Sequence, residues 1–591
     1  MLDLIFEGAT VIDGTGAAAR ATNVGIKDGL IVHVGAEAGR ARHHIDAHGA
    51  WLTPGFVDLH THYDGQASWD ETLSPSIHHG VTTVVMGNCG VGFAPLHSGD
   101  KPRAIQDLIS LMEGVEDIPG VALSEGVSFD WQSFPEYMAS LAHRPHSLDF
   151  LLQVPHDPLR MAVMGERALA QEAATDADIA EMRRLLIEAL DAGAAGFSTG
   201  RTDNHRTTAG QATPASDADR RELAALASAF KGRRSGVIQL VNDFNVLHGE
   251  TGFDPEFDLV ELLARESGRP LSMTWLQRDP GGDQWQRIRE RTEAAVRAGL
   301  PIYLQAAPRG IGVLLGLDTT FHPFMGFPLY REVADLPLSQ RAAALREPAR
   351  RARLLTETSQ RLSGDGSSIP PIVDLMLARI DRVSARMFPL ANAHGRPDYE
   401  PRLEDSFLMR ARRLGTTPLE ALYDYLTAGD GRALIHFPIF NYNAGSLAVV
   451  REMLDNPRVL YGLSDAGAHV GTICDASTST FLLSHWARDA EPEQRLTPER
   501  AIHLLTARNA NYIGLPDRGQ IAVGMRADLN LMDPGRLALL LPELVRDLPG
   551  GSQRFLQKAE GYLGTWVAGE AVALHGEPTA ARPGMWVGVG H

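Results

Sequence analysis

The most informative part of the sequence is Gly55-Phe56-Val57-Asp58-Leu59-His60-Thr61-His62-Tyr63-Asp64, where an apolar run ends in two histidines one residue apart. Alternate side chains of a strand share a face, so His60 and His62 project together from the strand's carboxyl end. A lone His-x-His is more often a surface or core pair than a metal site. Here Pro54-Gly55 starts the element and polar residues follow the pair. This position indicates a metallohydrolase site at the carboxyl rim of an α/β barrel.

Short apolar runs separated by amphipathic segments continue from Pro54 to about residue 515, which is typical of repeated βα units. One unit is complete: residues 176–191 have helical apolar spacing, an N-cap at Thr175 or Asp176, and Gly193 to end the helix. Besides the stretch before His60, the predicted strands are 81–86, 148–154, 194–198, 237–241, 271–275, 301–305 and 459–463. Eight strands are the number in a TIM barrel.

The sequence pattern at the two chain ends predicts a separate β-domain. Residues 2–53 alternate short β-type runs with turns, which predicts a small antiparallel sheet, and β-type runs resume after Pro516. If the two chain ends pair, residues 1–53 and 516–591 form one domain beside a barrel of residues 54–515.

Between about 310 and 430 the chain is rich in Arg, Ala and Leu without a β period. That stretch predicts a mostly helical insertion, either a lid over the barrel mouth or a solvated helix pair without function.

Composition excludes several classes of partner. The chain has 591 residues, 44% hydrophobic and 22% charged, as in a globular protein. Its net charge of −18 disfavours nucleic acid and anionic membranes, so the predicted partner is a small molecule. Because the sequence shows no basic leader and no apolar run of membrane-spanning length, we expect a cytoplasmic protein. Homo-oligomerisation is a possibility that the sequence leaves open.

Two cysteines, Cys89 and Cys474, exclude a disulfide framework. For each, the alternatives are a buried structural thiol or a thiolate ligand of a metal. A further hypothesis is that Cys89 is a nucleophile, but the sequence places no partner histidine beside it.

Three separated motifs resemble a known family. The first motif comprises residues 8–16, 45–47 and 54–62. The second comprises residues 80–83 and the following Gly87-Asn88-Cys89-Gly90, and the third comprises residues 519–529. In these the chain resembles the amidohydrolase superfamily, and within it the N-acyl-D-amino-acid deacylase (D-aminoacylase) branch. The resemblance implies a distorted TIM barrel, a β-sandwich formed by both termini, and a zinc centre that cleaves the amide bond of N-acyl amino acids, with D configuration the leading expectation.

The resemblance also implies a ligand set. His60 and His62 would be first-strand ligands, Cys89 a thiolate ligand, and Asp465 the last-strand aspartate. Zinc accepts imidazole, thiolate and carboxylate together. Bound zinc lowers the pKa of water from 15.7 to about 7. Asp465 would take the water's proton and pass it to the departing amine.

One departure from the family concerns two further histidines, expected on the fifth and sixth strands. This sequence offers Gln239 and Trp275 there. An indole N–H only donates, and an amide oxygen is a weak zinc ligand. We therefore expect one zinc ion, with two as the alternative.

Candidates for substrate binding follow predicted strands. Arg201 and Arg309 could grip a substrate carboxylate, and His205 and His469 could line the site; each could equally have an ordinary loop role. Two other functions stay open: hydrolysis of another C–N bond, such as a cyclic amide, carbamate or aryl amide, and a scaffold without activity. The joint presence of His60, His62 and Asp465 favours an enzyme.

Overall fold

A parallel eight-stranded sheet forms the centre of the structure, a computed structural model that describes residues 1–37, 39–96, 99–246, 250–278, 282–362 and 371–589. Neighbouring strands follow chain order, as in a barrel built from βα units. They are Phe56–Asp58, Val81–Met86, Asp149–Pro155, Gly196–Arg201, Val237–Asn242, Leu271–Thr274, Ile302–Ala306 and Val459–Tyr461. All eight predicted strands are therefore confirmed, and so is the α/β barrel.

The barrel closes just beyond the ends of its first and eighth strands. Thr61 forms a parallel bridge with Ala466. The N–H of His62 donates to the carbonyl of Ala466 at 2.8 Å, and the N–H of Asp465 donates to the carbonyl of His60 at 3.2 Å. The backbone that closes the barrel thus carries the predicted ligands.

Helices cover the outside of the barrel. They include Lys101–Glu116, Gly120–Gly126, Phe134–Ala142, His156–Met164, Glu166–Leu169, Asp176–Asp191, Arg220–Ala227, Phe253–Ser267, Gln284–Arg297, Ala448–Asp455, Thr478–Phe481, Pro498–Leu505 and Ala507–Ile513. The predicted helix Asp176–Asp191 is confirmed, and a capping box begins it: Thr175 accepts from the N–H of Asp178, whose side chain accepts from the N–H of Thr175. Its apolar stripe is buried.

Both chain ends contribute to one nine-stranded sheet, as predicted. The ends meet where Trp51–Pro54 pairs antiparallel with Leu529–Met532. The sheet is mixed, so the expectation of a purely antiparallel sheet is wrong: Leu2–Val11 pairs in parallel with Ala41–Asp46 and with Trp51–Pro54. The remaining strands are Arg20–Lys27, Leu30–Gly35, Tyr562–Val567, Glu570–Leu574 and Glu577–Pro578. The domain boundaries near residues 53 and 516 stay a prediction.

The insertion is mostly helical, as predicted, and has its own apolar core. Its helices are Pro328–Arg331, Leu338–Leu345, Pro348–Thr356, Pro371–Ala378, Ile380–Val383, Phe407–Leu414 and Pro418–Leu426. Strands, which the sequence pattern did not predict, form its base: Ile311–Leu315 and Phe388–Pro389 both pair with Ile435–Phe440. The N–H of Leu314 donates to the carbonyl of Thr472 at 2.8 Å, which fixes the insertion to the loop after the eighth strand.

None of the helices in the described ranges combines the length and the apolar composition that a membrane span requires.

A buried ionic network joins the terminal segment to the barrel. Asp149, on the third barrel strand, is fully buried and contacts Nη1 of Arg518. Its other carboxylate oxygen lies 3.2 Å from Nη2 of Arg526, which also pairs with Asp528 at 3.1 Å. A buried carboxylate is stable only while such partners compensate its lost hydration.

We predict that Arg518→Met lowers the free energy of unfolding by about 3–5 kcal/mol, because the buried Asp149 loses a charge partner. Urea denaturation monitored by circular dichroism measures this. The control is Arg184→Met, which removes an exposed arginine paired with Glu181 and Glu188 and should change stability by no more than about 1 kcal/mol. Equal effects of the two substitutions would contradict the importance of the network.

Candidate metal centre

Four predicted ligands converge at the carboxyl rim of the barrel. Ligand atoms of His60, His62 and Cys89 all lie within 4.8 Å of one another. Nε2 of His60 is 3.2 Å from Sγ of Cys89 and 3.2 Å from Oδ1 of Asp465. Nε2 of His62 is 3.8 Å from the same oxygen of Asp465. The first, second and eighth strands therefore bring imidazole, thiol and carboxylate groups together.

The Nδ1 atom of each histidine faces a side-chain oxygen of another residue. Nδ1 of His60 lies 2.7 Å from Oε1 of Gln305, whose amide nitrogen donates to Ser272 at 2.9 Å. Nδ1 of His62 lies 3.2 Å from Oε1 of Glu116. Because an amide oxygen only accepts, Nδ1 of His60 carries the proton and its Nε2 keeps a free lone pair. This is the arrangement of metal-binding histidines.

Two of the four predicted ligands have a strained backbone. Cys89 has φ of 58° and Asp465 has φ of 46°, both in the left-handed region. Such conformations in non-glycine residues persist only where surrounding contacts enforce them. For Cys89 the contact is a hydrogen bond of 2.7 Å from its N–H to Oε1 of Gln239. A Cβ at Gly90 would lie 2.8 Å from the backbone nitrogen of Gly200, so the chain after Cys89 requires glycine.

The site is rich in buried acid groups. Burial raises the pKa of Asp465 to about 6 and of Asp64 to about 7. Burial also raises the pKa of Glu116 well above its usual range, and the charges of Asp465 and Asp64 add to the effect. Among the described residues, the ion pairs of Glu116 and Asp465 involve only histidines. A bound divalent cation would stabilise the ionised forms of these acids.

The donor set fits such a cation. Burial lowers the pKa of His62 well below its ordinary value, so the ring is neutral and able to bind a metal. Burial, with the negative charges of Glu116 and Asp465, raises the pKa of the Cys89 thiol. A thiol binds metal as the thiolate, which only a nearby positive charge would stabilise here. Neutral nitrogen, sulfur and carboxylate oxygen together are ligands that zinc accepts.

Gln239 and Trp275 have contacts of their own. Gln239 holds the backbone of Cys89, as described above. Trp275 is fully buried, and its indole N–H donates to the carbonyl of Trp285 at 2.8 Å. The fifth and sixth strands therefore supply no imidazole at these two positions.

The structure brings two more predicted residues to the site. Burial lowers the pKa of His205 to about 3, with smaller contributions from the nearby rings of His469 and His60. Nε2 of His469 is 3.7 Å from Oε2 of Glu116.

The two predicted arginines are instead held in ion pairs. Arg201 forms a two-pronged pair with Glu256 at 2.7 and 2.8 Å. Arg309 is buried, binds Asp475 at 2.8 Å, and stacks over Tyr399 at 3.7 Å from the ring centroid.

Sequence reasoning missed Glu116, the acid that faces His62. It ends the helix Lys101–Glu116 and is 1% exposed. The available signal was its position: it follows buried Met112 by one helical turn, on the apolar face. A carboxylate on an apolar face at the end of a helix is unusual enough to indicate a function.

Comparison with known proteins places the chain in a family. A profile described as the Amidohydrolase family matches residues 43–573. The chain therefore belongs to the amidohydrolase family, and it is a hydrolase acting on carbon–nitrogen bonds other than peptide bonds.

Relatives confirm the resemblance to the D-aminoacylase branch. D-aminoacylase of Alcaligenes xylosoxydans xylosoxydans is 37% identical over 199 residues, covering 34% of this chain and 37% of that protein. An uncharacterized protein of Mycobacterium tuberculosis is 30% identical over 573 residues, covering 90% of this chain and 85% of that protein.

Two solved structures share the fold over their full lengths. N-acyl-D-glutamate deacylase from Bordetella bronchiseptica, complexed with zinc and a phosphonate inhibitor, has a TM-score of 0.61 and 22% identity, with 100% of both chains covered. A D-aminoacylase solved to define its binuclear metal centre, with one-metal activation and second-metal attenuation, has a TM-score of 0.62 and 24% identity, also with 100% of both chains covered.

We predict that cobalt bound to this chain shows the near-ultraviolet charge-transfer absorption of a thiolate ligand, and that Cys89→Ser abolishes it. Cys474→Ser is the matched control, because Cys474 is also buried and burial also raises its pKa, to about 12. Absorption spectra of the cobalt-loaded variants measure the effect. A band that survives in Cys89→Ser would remove Cys89 from the ligand set.

Proposed function

We propose that the chain hydrolyses the amide bond of N-acyl-D-amino acids at a single zinc ion held by His60, His62, Cys89 and Asp465. The observation that carries the proposal is the convergence of both Nε2 atoms on one oxygen of Asp465 beside Cys89. The D-aminoacylase relatives favour this substrate class. N-acyl-D-aspartate deacylase of Alcaligenes xylosoxydans xylosoxydans, 40% identical over 199 residues, favours it as well.

One ion fits the described donors better than two. Gln239 binds a backbone N–H and Trp275 binds a backbone carbonyl. The imidazoles that would complete a second ligand set are therefore missing from the fifth and sixth strands.

Asp465 is the residue that moves protons. When bound, the zinc ion would acidify a water molecule and polarise the substrate carbonyl. Asp465 takes one proton from the attacking water, whose oxygen bonds to the carbonyl carbon. As the C–N bond breaks, the same proton passes from Asp465 to the leaving nitrogen, so the products are a carboxylic acid and an amine.

Arg278 is the best placed cation for a substrate carboxylate. It follows the sixth strand and is 8% exposed, and burial lowers its pKa. No carboxylate in the described part of the chain lies within ion-pair distance of its guanidinium, although Asp243 exerts a weaker attraction. The positive charge of Arg278 helps to lower the pKa of His205, which is close to His60. A guanidinium that is buried without an ion-pair partner is suited to accept a carboxylate.

An apolar cluster beside Arg278 is suited to the acyl chain or an apolar side chain of the substrate. Its members come from the loops after the sixth, seventh and eighth strands and from the insertion: Leu276, Ala307, Ile311, Leu463, Phe440 and Ile473. The Arg278 guanidinium lies 5.2 Å from the ring centroid of Phe440. Leu463 is two residues from Asp465, so this cluster borders the metal centre.

We predict that the zinc-loaded chain releases amine from N-acyl-D-amino acids and that Asp465→Asn lowers kcat by about 10²–10⁴-fold, the usual loss on removing an acid–base group. A panel of N-acyl-D- and N-acyl-L-amino acids, cyclic amides and carbamates, assayed with and without chelator, measures this. Activity on the cyclic amides or carbamates alone would indicate hydrolysis of another C–N bond. Zinc binding without activity on any substrate would indicate a scaffold.

We predict that Arg278→Gln lowers kcat/KM for an N-acyl amino acid by about 10–150-fold, mainly through KM. This corresponds to the loss of roughly 1.5–3 kcal/mol from one charge-assisted hydrogen bond. The matched control is the same substrate with its carboxylate converted to an amide, on which both proteins should act equally. An equal loss on both substrates would contradict carboxylate recognition by Arg278.

A further inference from the structure

Glu116 lies where a carboxylate is disfavoured on two grounds. It is 1% exposed, so its charge has lost hydration. It is also the last residue of the helix Lys101–Glu116, where the helix dipole is negative and repels anions. Local preference therefore argues against glutamate at this position, and residues that break local preference are expected at functional sites.

The carboxylate of Glu116 spans two histidines of the site. Oε1 is 3.2 Å from Nδ1 of His62, and Oε2 is 3.7 Å from Nε2 of His469. Oε1 of Glu116 and Nδ1 of His62 are both fully buried and have no hydrogen-bond partner of standard geometry among the described residues. The two atoms therefore face each other at 3.2 Å, each with its hydrogen-bonding capacity unused by the rest of the described chain.

The backbone around Glu116 is tied to the loop that carries Asp465. The N–H of His469 donates to the carbonyl of Glu116, and the N–H of Gly471 donates to Oδ2 of Asp117 at 3.3 Å. The helix end and the eighth-strand loop therefore hold each other in place.

We propose that Glu116 is a positioning residue of the metal centre: it accepts the Nδ1 proton of His62 and so directs Nε2 of His62 toward the bound cation. This inference rests on the proposed zinc site. Gln305 performs the same task for His60 through an amide oxygen. The two histidines are thus oriented by different acceptors, one on the helix after the second strand and one on the seventh strand.

The difference between the two acceptors defines the test. Glu116→Met keeps the approximate shape but removes the acceptor, whereas Glu116→Gln keeps an acceptor without charge. We expect Glu116→Met to weaken zinc binding by about 10–100-fold, as loss of an acceptor behind a ligand histidine does. Glu116→Gln should recover most of the affinity. Competition with a chromophoric chelator measures zinc affinity independently of activity.

Two controls separate positioning from folding. Glu113→Gln removes a charge from the same helix one turn earlier, where Glu113 accepts from the N–H of Gly120 at 3.0 Å, and it should leave zinc affinity unchanged. Thermal unfolding of the metal-free variants establishes that each is folded.

Three outcomes would overturn the inference. Unchanged affinity in Glu116→Met would show that His62 needs no acceptor. Equal loss in Glu116→Met and Glu116→Gln would show that Glu116 acts through its charge alone. A wild-type chain that binds no zinc would overturn the proposed function together with the inference, and this result is distinct from the other two.

Discussion

Backbone pairing between residues 60–62 and 464–466 is the constraint on which the site depends. Two hydrogen bonds and one parallel bridge join the ends of the first and last barrel strands. The side chains of His60, His62 and Asp465 leave the backbone at this seam, so their relative positions are set by main-chain geometry and not by flexible loops. Catalytic groups fixed in this way lose little entropy on reaching their reactive arrangement.

Buried negative charge is the second property of the rim. Asp64, Glu116 and Asp465 lie near one another, and burial raises the pKa of each. In the described part of the chain, no lysine or arginine forms an ion pair with Glu116 or Asp465. A protein interior tolerates such a group of acids when they share protons or surround a cation. The neutral histidines among them, which are metal ligands by type, favour the cation.

The parts that could be predicted from sequence are those set by local pattern. Each barrel strand is a short apolar run bounded by turn residues, and the helix Asp176–Asp191 has its cap and its period in the sequence. His60 and His62 were recognisable because strand geometry alone places them on one face. The strand Ile311–Leu315 was missed because its apolar run lies in a stretch whose composition is helical, and its partner Ile435–Phe440 is distant in the chain.

Residues that act through tertiary contacts could not be predicted. Gln305 and Glu116 have meaning only beside His60 and His62, which lie far from them in sequence. The predicted arginines Arg201 and Arg309 have acidic partners that no motif places near them. Arg278 was not selected because its loop carries no motif, and only its burial without an ion pair distinguishes it.

The seam also has a consequence for how the protein is made. His60, His62 and Cys89 leave the ribosome early, whereas Asp465 and the residues that close the cylinder emerge several hundred residues later. During synthesis the growing chain therefore contains the two imidazoles and the thiol before the strand that closes the barrel has been made. The complete cluster of four side chains can therefore assemble only after the eighth strand and its loop have been synthesised.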